Sequence, residues 1–89
     1  MKGIITVLGR DRVGIMARVC TFLAGERINI LDISQTILHG LFNMVMVVDL
    51  TGMARSFDDT ADGLSAIGTD MDLQIKLQRE DIFNAMQRI

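Results

Sequence analysis

The spacing of apolar residues in this chain switches between two periods in an order that occurs twice, and this order limits the possible folds more than any other feature. Apolar residues alternate in strands and recur every three or four positions in helices. In the first half, residues 4–8 indicate a buried strand, residues 13–23 an amphipathic helix and residues 28–38 a long strand. Asp11 is placed to cap the helix, and Gly25 to end it in a left-handed conformation.

The second half of the chain repeats this order. A hairpin turn is predicted at residues 39–40, and it leads into the apolar segment 42–50, which indicates a central strand covered on both faces. Ser56 begins a helix that Gly68 is expected to end. Residues 71–77 alternate apolar and polar side chains, as in a strand with one solvated face.

Two strand-helix-strand units of this kind interleave into a four-stranded antiparallel sheet with both helices on one face. The sequence therefore predicts an α+β fold of the ferredoxin-like βαββαβ type, formed by a single domain over residues 1–79. Residues 80–89 have helical spacing but are too few to form a stable helix alone. We expect this C-terminal helical tail to pack on the domain or on a second copy of it.

The apolar content predicts self-association. Apolar residues make up 49% of the 89 residues, and so small a domain buries only about 60–65% of its unfolded surface. The predicted sheet has one face without helices, where a second copy could pack face to face. The expected interface of this homodimer consists of apolar side chains from the third strand and the tail, namely Met44, Met46, Val48, Ile82, Phe83 and Met86.

Charge and cysteine content exclude several classes of function. The net charge is −2, only two lysines occur, and no basic cluster exceeds the pair Arg10 and Arg12, which argues against nucleic-acid and membrane partners. Cys20 cannot form an internal disulfide, and neither a signal peptide nor a membrane span is evident. From these features we expect a cytoplasmic protein. No spacing of cysteine or histidine typical of a metal site is present, so we expect no metal and no cofactor.

The segment from Gly9 to Ile15 joins the first strand to the first helix and is the strongest candidate for a binding site. The free N–H groups of a helix start attract carboxylate or phosphate, and a glycine lets a ligand approach closely. The same residues fit a plain helix start in which Asp11 only caps and Gly14 only packs. Taken without other information, the loop favours this structural interpretation.

Three features of the sequence carry a resemblance to a known family: the residues DRVGI at 11–15, Asn29-Ile30 at the start of the second strand, and the run from GRDRVGI through FNMVMVVDL to EDIFNAMQRI. With these features the chain resembles the small stand-alone ACT-domain proteins of bacteria and archaea. The ACT loop usually reads Asp-x-Pro-Gly, and Val13 stands where many members have proline. The resemblance implies a regulatory domain without catalytic activity. It also implies an amino acid or similar small molecule, bound between two domains by Asp11, Arg12, Val13, Gly14, Ile15, Asn29 and Ile30, and a separate protein that is regulated.

One enzyme is an alternative on the same fold. Acylphosphatase-like hydrolases bind phosphate in the first strand-to-helix loop with an arginine and position a water molecule with an asparagine. Arg10 or Arg12 and Asn43 could take these parts. The Gly-x-Val-Gln-Gly-Val loop of those enzymes is absent here, which argues against this alternative.

Overall fold

The computed structural model describes residues 1–81, and in them four strands and two helices follow in the predicted order. The elements are β1 (Lys2–Arg10), α1 (Ile15–Gly25), β2 (Asn29–Leu38), β3 (Leu41–Asp49), α2 (Phe57–Met71) and β4 (Leu73–Arg79). The strands form one antiparallel sheet in the order β2-β3-β1-β4. The predicted ferredoxin-like βαββαβ fold is confirmed. No helix in residues 1–81 is both long and apolar enough to cross a membrane.

The core lies between the helices and one face of the sheet. Alternate residues of β1, β3 and β4, Ile5 and Val7 among them, pack there against Val19 and Leu23 of α1 and Leu64 of α2. Burying each of these side chains contributes about 1.5–3 kcal/mol relative to an exposed position. The apolar side chains on one face of the strands therefore pack against the apolar stripe of each helix, as the sequence predicts.

The interface prediction for the third strand is wrong. Met44, Met46 and Val48 are fully buried beneath the helices within one chain, so a second copy cannot reach them. Because successive side chains of a strand point to opposite faces, Val45 and Val47 face the other side of β3, where they are half-buried. The other predicted interface residues, Ile82, Phe83 and Met86, and most of the predicted tail lie outside the described residues.

Three predicted helix ends are wrong. The residue that precedes α1 as its N-cap is Gly14 and not Asp11, because the Asp11 N–H donates to the Gly40 carbonyl at 2.8 Å and continues the sheet. Arg27, not Gly25, is left-handed after α1, with φ 60°. Likewise α2 continues past Gly68 to a left-handed Asp72.

Gly68 is needed inside α2 for space and not as a helix end. It is buried, and a Cβ on it would lie 2.6 Å from the Leu73 carbonyl oxygen. The glycine therefore allows the close approach of α2 to β4, which a sequence pattern cannot distinguish from a helix stop.

The strand β2 forms an edge of the sheet, and all its residues from Leu31 to Leu38 are exposed. The predicted bulge near Asp32 is confirmed, because the register with β3 shifts between Ile30 and Asp32. The predicted turn is also confirmed, since residues 39 and 40 both have positive φ, as in a two-residue type I′ hairpin.

The face of the sheet that points away from the helices is called the helix-free face below. The alternation of the strands and their pairing assign its residues. They are Asn29, Asp32, Ser34, Thr36 and Leu38 of β2, Leu41, Asn43, Val45, Val47 and Asp49 of β3, Lys2, Ile4, Thr6, Leu8 and Arg10 of β1, and Gln74, Lys76 and Gln78 of β4.

Candidate functional site

The junction between β1 and α1, residues 11–14, ends in a glycine that no other residue replaces without strain. Gly14 has φ +92°, a conformation that side chains with a Cβ rarely adopt, and a Cβ on it would meet nothing within 4 Å. The glycine is therefore required by its backbone conformation, and the space beside it is open to solvent.

The start of α1 has no side-chain cap. No side chain accepts a hydrogen bond at its N-cap, and its first turn contains no acidic residue. The first helical hydrogen bond runs from the Arg18 N–H to the Gly14 carbonyl at 2.9 Å, so the N–H groups of residues 15–17 precede it. These groups and the helix dipole have the chemistry to accept a carboxylate or phosphate, and the dipole would contribute about 0.3–1 kcal/mol at an exposed position.

The two apolar residues of the predicted site behave differently. Ile15 is 2% exposed and anchors the first turn of α1 in the core. Val13 is fully exposed and stands at the tip of the junction. An apolar side chain in that position is available to contact a ligand or a second protein chain.

Contacts with two other parts of the fold hold the junction in place. On one side, the Asp11 N–H donates to the Gly40 carbonyl in the β2–β3 turn. The Asp11 carboxylate is exposed and does not cap α1. On the other side, the Arg12 guanidinium donates to the Met71 carbonyl at the end of α2, at 3.1 Å. Arg18 adds an ion pair with Asp70 at 2.9 Å. Arg12 thus already uses one of its donors to bind the end of α2.

The other predicted half of the site, Asn29 and Ile30, lies at the opposite end of the sheet. Asn29 pairs with Asp49, whereas Arg10, next to the junction, pairs with Leu41. The length of β3 between these two pairs corresponds to about 26 Å at a rise of about 3.3 Å per residue. The structure therefore brings residues 11–15 together and places Asn29 and Ile30 far from them in the same chain.

Sequence reasoning missed one carboxylate beside Asn29. Asp49 accepts hydrogen bonds from the Thr51 hydroxyl at 2.6 Å and the Thr51 N–H at 3.0 Å. These bonds, with smaller contributions from the N-terminal ammonium and Lys2, hold the pKa of Asp49 below its ordinary value. The signal in the sequence was an aspartate two residues before a threonine at a strand end, a pattern typical of a turn.

The residues suggested for acylphosphatase-like chemistry do not come together. Asn43 lies on the helix-free face, while the guanidinium of Arg12 is bound to the end of α2, which packs on the other face. Arg10 shares a face with Asn43 but not with the start of α1. Within residues 1–81, no group of three or more histidine, cysteine or acidic side chains could hold a metal ion.

Comparisons with known proteins agree with one another. The ACT domain family profile matches residues 3–78. A UPF0237 protein of Bifidobacterium longum is 50% identical over 88 residues, which cover 99% of this chain and 98% of the relative.

Two solved structures resemble the fold. An ACT domain protein from Streptococcus pneumoniae has a TM-score of 0.81 and 38% identity, with 93% of each chain covered. A formyltetrahydrofolate deformylase from Pseudomonas syringae pv. tomato has a TM-score of 0.80 and 22% identity, and the match covers 88% of this chain but 27% of the deformylase. The second likeness concerns the fold alone.

Proposed function

The chain belongs to the ACT domain family, and from this premise we propose that it is a regulatory domain without catalytic activity. It binds an amino acid or a similar small metabolite where two copies of the chain meet. The observation that carries the proposal is the uncapped start of α1 behind the left-handed Gly14. An amino acid has the anionic group that such a helix start attracts.

The chemistry of a zwitterion matches the residues on both sides of the site. Its carboxylate accepts hydrogen bonds from the N–H groups of residues 15–17, and its ammonium is attracted to the exposed carboxylate of Asp11. Asn29 from the second copy can both donate and accept, and the ionised Asp49 beside it adds a second negative charge for the ammonium.

Two copies joined through β2 would bring the halves of the site together. The outer edge of β2 has no partner strand in the described chain, and its exposed residues include Ile33 and Ile37 on the side of the helices. If β2 pairs antiparallel with β2 of a second copy around residues 33–34, Asn29 comes level with the second copy's Leu38. That is the end of the sheet where its residues 11–14 lie.

This arrangement replaces the face-to-face dimer predicted from sequence. Pairing through β2 covers the exposed isoleucines of this edge strand, and the N–H and C=O groups along its outer edge gain hydrogen-bond partners. The face-to-face arrangement would instead bury the polar side chains of Asn43, Gln74 and Lys76.

Isothermal titration calorimetry against the twenty amino acids tests ligand binding. We expect at least one to bind, and Asp11→Asn or Asn29→Ala to weaken its binding about tenfold or more because each removes a charged or polar contact. Asp58→Asn, which removes an exposed acid at the start of the other helix, is the matched control and should bind normally. Absence of binding for all twenty, or equal binding by Asp11→Asn and Asp58→Asn, would sink the proposal.

A mixing experiment tests whether the site needs two copies. Asp11→Asn and Asn29→Ala chains are unfolded together and refolded as a mixture. In a mixed dimer one site carries both substitutions and the other carries neither, so about a quarter of the wild-type binding sites should return at equal mixing. A site formed within one chain would recover no binding.

A further inference from the structure

The helix-free face contains a groove at the end of the sheet that adjoins the β2–β3 turn. Two adjoining cavities form it. One is about 230 Å³ and is lined by Leu8, Thr36, Leu38, His39, Leu41 and Asn43. The other is about 170 Å³ and is lined by Thr6, Leu8, Asn43, Gln74 and Lys76. Because Leu8 and Asn43 line both cavities, the groove runs without interruption from the turn to β4.

One end of this groove is apolar. Leu8, Leu38 and Leu41 are 46%, 63% and 54% exposed, although a large aliphatic side chain is usually buried in a domain of this kind. They surround the larger cavity and leave it open on one side. Such a concave apolar surface favours the apolar part of a small ligand.

The other end of the groove carries polar groups that have no partner in residues 1–81. The side chains of Asn43, Gln74 and Lys76 make no hydrogen bond or ion pair with any described residue. Asn43 and Gln74 flank Leu8 on the two neighbouring strands, and Lys76 is next to Gln74 on the same face of β4. Two amides and an ammonium therefore converge beside the apolar cavity, free to bind a ligand.

The charges around the groove select an anion. Lys76 and Arg10 are the charged residues of the helix-free face near the groove, although the chain as a whole has net charge −2. The acids of this face, Asp32 and Asp49, lie toward the opposite end of the sheet. Asp72 lines an adjoining cleft, which shares Leu8 and Gln74 with the groove and extends from it toward Gly68 and Leu73.

We propose that this groove is a second ligand site, distinct from the start of α1, that binds a small amphipathic carboxylate. The aliphatic part of the ligand packs on Leu8, Leu38 and Leu41, and its carboxylate accepts hydrogen bonds from Lys76 and the Asn43 amide. The strands β3 and β4 are two strand spacings apart, about 10 Å. An aliphatic chain of about six carbons and the long lysine side chain together span that distance.

The test uses hexanoate as the probe and follows the backbone amide signals of the full chain by nuclear magnetic resonance. We expect saturable shifts at Leu8, Asn43 and Lys76, and weaker shifts with the uncharged 1-hexanol. Lys76→Glu should weaken hexanoate binding about tenfold or more, because it replaces an attractive charge with a repulsive one. Lys2→Glu, at the chain's other lysine, is the matched control and should bind as wild type.

A second pair of variants tests the apolar part of the groove. Leu41→Ser should weaken hexanoate binding several-fold, while Leu31→Ser, at a leucine of similar exposure at the far end of β2, should not. The amide spectra of the variants show that each remains folded.

Four results would overturn the proposal: no saturable shift with hexanoate, equal binding of 1-hexanol, equal loss in both lysine variants, or equal loss in both serine variants. The proposal would also be overturned if the wild-type chain is a dimer, Leu41→Ser converts it to a monomer, and hexanoate does not change the amide signals. The helix-free face would then be an interface between copies. The outcome is independent of the site at α1, because Asp11→Asn leaves every groove residue in place.

Discussion

The two strand-to-helix junctions of this fold occupy equivalent places in its two halves, yet one is capped and the other is not. In the capped junction, residues 50–56, the Ser56 hydroxyl accepts from the Asp59 N–H at 3.1 Å, and Asp58 and Asp59 lie in the first turn of α2. In the uncapped junction, residues 11–14, Gly14 offers no side chain and the first turn of α1 has no acid.

This difference distinguishes a helix start that its own chain satisfies from one that it leaves open. The positive end of the α2 dipole is already neutralised by carboxylates of its own chain, whereas that of α1 faces solvent. The same topology therefore contains a capped junction and an uncapped one, and the residues that distinguish them are the cap and the first-turn acids. The following predictions test this contrast, beginning with the largest expected effect.

The largest effect is expected at Gly14. Gly14→Ala forces a side chain into a left-handed conformation and should lower the free energy of unfolding by about 1–2 kcal/mol. Gly25→Ala is the matched control, because Gly25 also has open space but lies in the last turn of α1. It should raise the free energy of unfolding by about 0.5–1 kcal/mol. Urea unfolding measures both, and a loss of equal size in the two variants would contradict the assigned role of Gly14.

The next effect separates the two candidate caps. Ser56→Ala should lower the free energy of unfolding by about 1 kcal/mol, since it removes the hydrogen bond to the Asp59 N–H. Asp11→Ala should change it by less than about 0.5 kcal/mol, because the Asp11 side chain caps no helix. Thermal unfolding of both variants measures the difference. A loss at Asp11 as large as that at Ser56 would mean that the junctions are capped alike.

A smaller effect is expected where the uncapped junction is tied to the end of α2. The Arg18–Asp70 ion pair is solvent-exposed, so its coupling energy should be about 0.2–1 kcal/mol and should fall as salt is added. A double-mutant cycle of Arg18→Ala and Asp70→Ala, at low and high salt, measures it. Coupling that does not change with salt would contradict an exposed electrostatic contact.

The smallest effect concerns acid stability at the end of β3, where the chain enters the capped junction. Because folding holds the pKa of Asp49 below its ordinary value, the ionised form stabilises the fold. This stabilisation is present above about pH 4 and is lost as the pH falls through the lowered pKa. Asp49→Asn should therefore be less stable than wild type at neutral pH, and the two should converge in acid. An unchanged difference between wild type and Asp49→Asn from pH 7 to pH 2 would refute the role of Asp49.

Element order could be predicted because it follows from apolar spacing, and sheet topology because two strand-helix-strand units interleave in one way. The Ser56 cap, the bulge near Asp32 and the two-residue turn were also predicted, since each is encoded by a few adjacent residues. The α1 start was mispredicted because Asp11 has the chemistry of a cap but its backbone hydrogen bond belongs to the sheet. Local composition cannot reveal that competition.

The candidate site was predicted only in part. Residues 11–15 form one junction, as expected from their order in the chain. The separation of Asn29 from them follows from the predicted topology, because the second strand of a strand-helix-strand unit begins at the end of the sheet opposite to the end where the first strand finishes. The face of Met44 could not be predicted, since a strand that is apolar on both phases does not show which phase the helices cover.

The distance of about 26 Å between the junction and Asn29 has a consequence for how a metabolite would be sensed. If each site takes one half from each of two chains, occupancy depends on the amount of protein as well as on the amount of ligand. Dilution would separate the halves and weaken apparent affinity, and ligand would in turn draw chains together. Such a protein would respond to its own expression level and to the metabolite jointly.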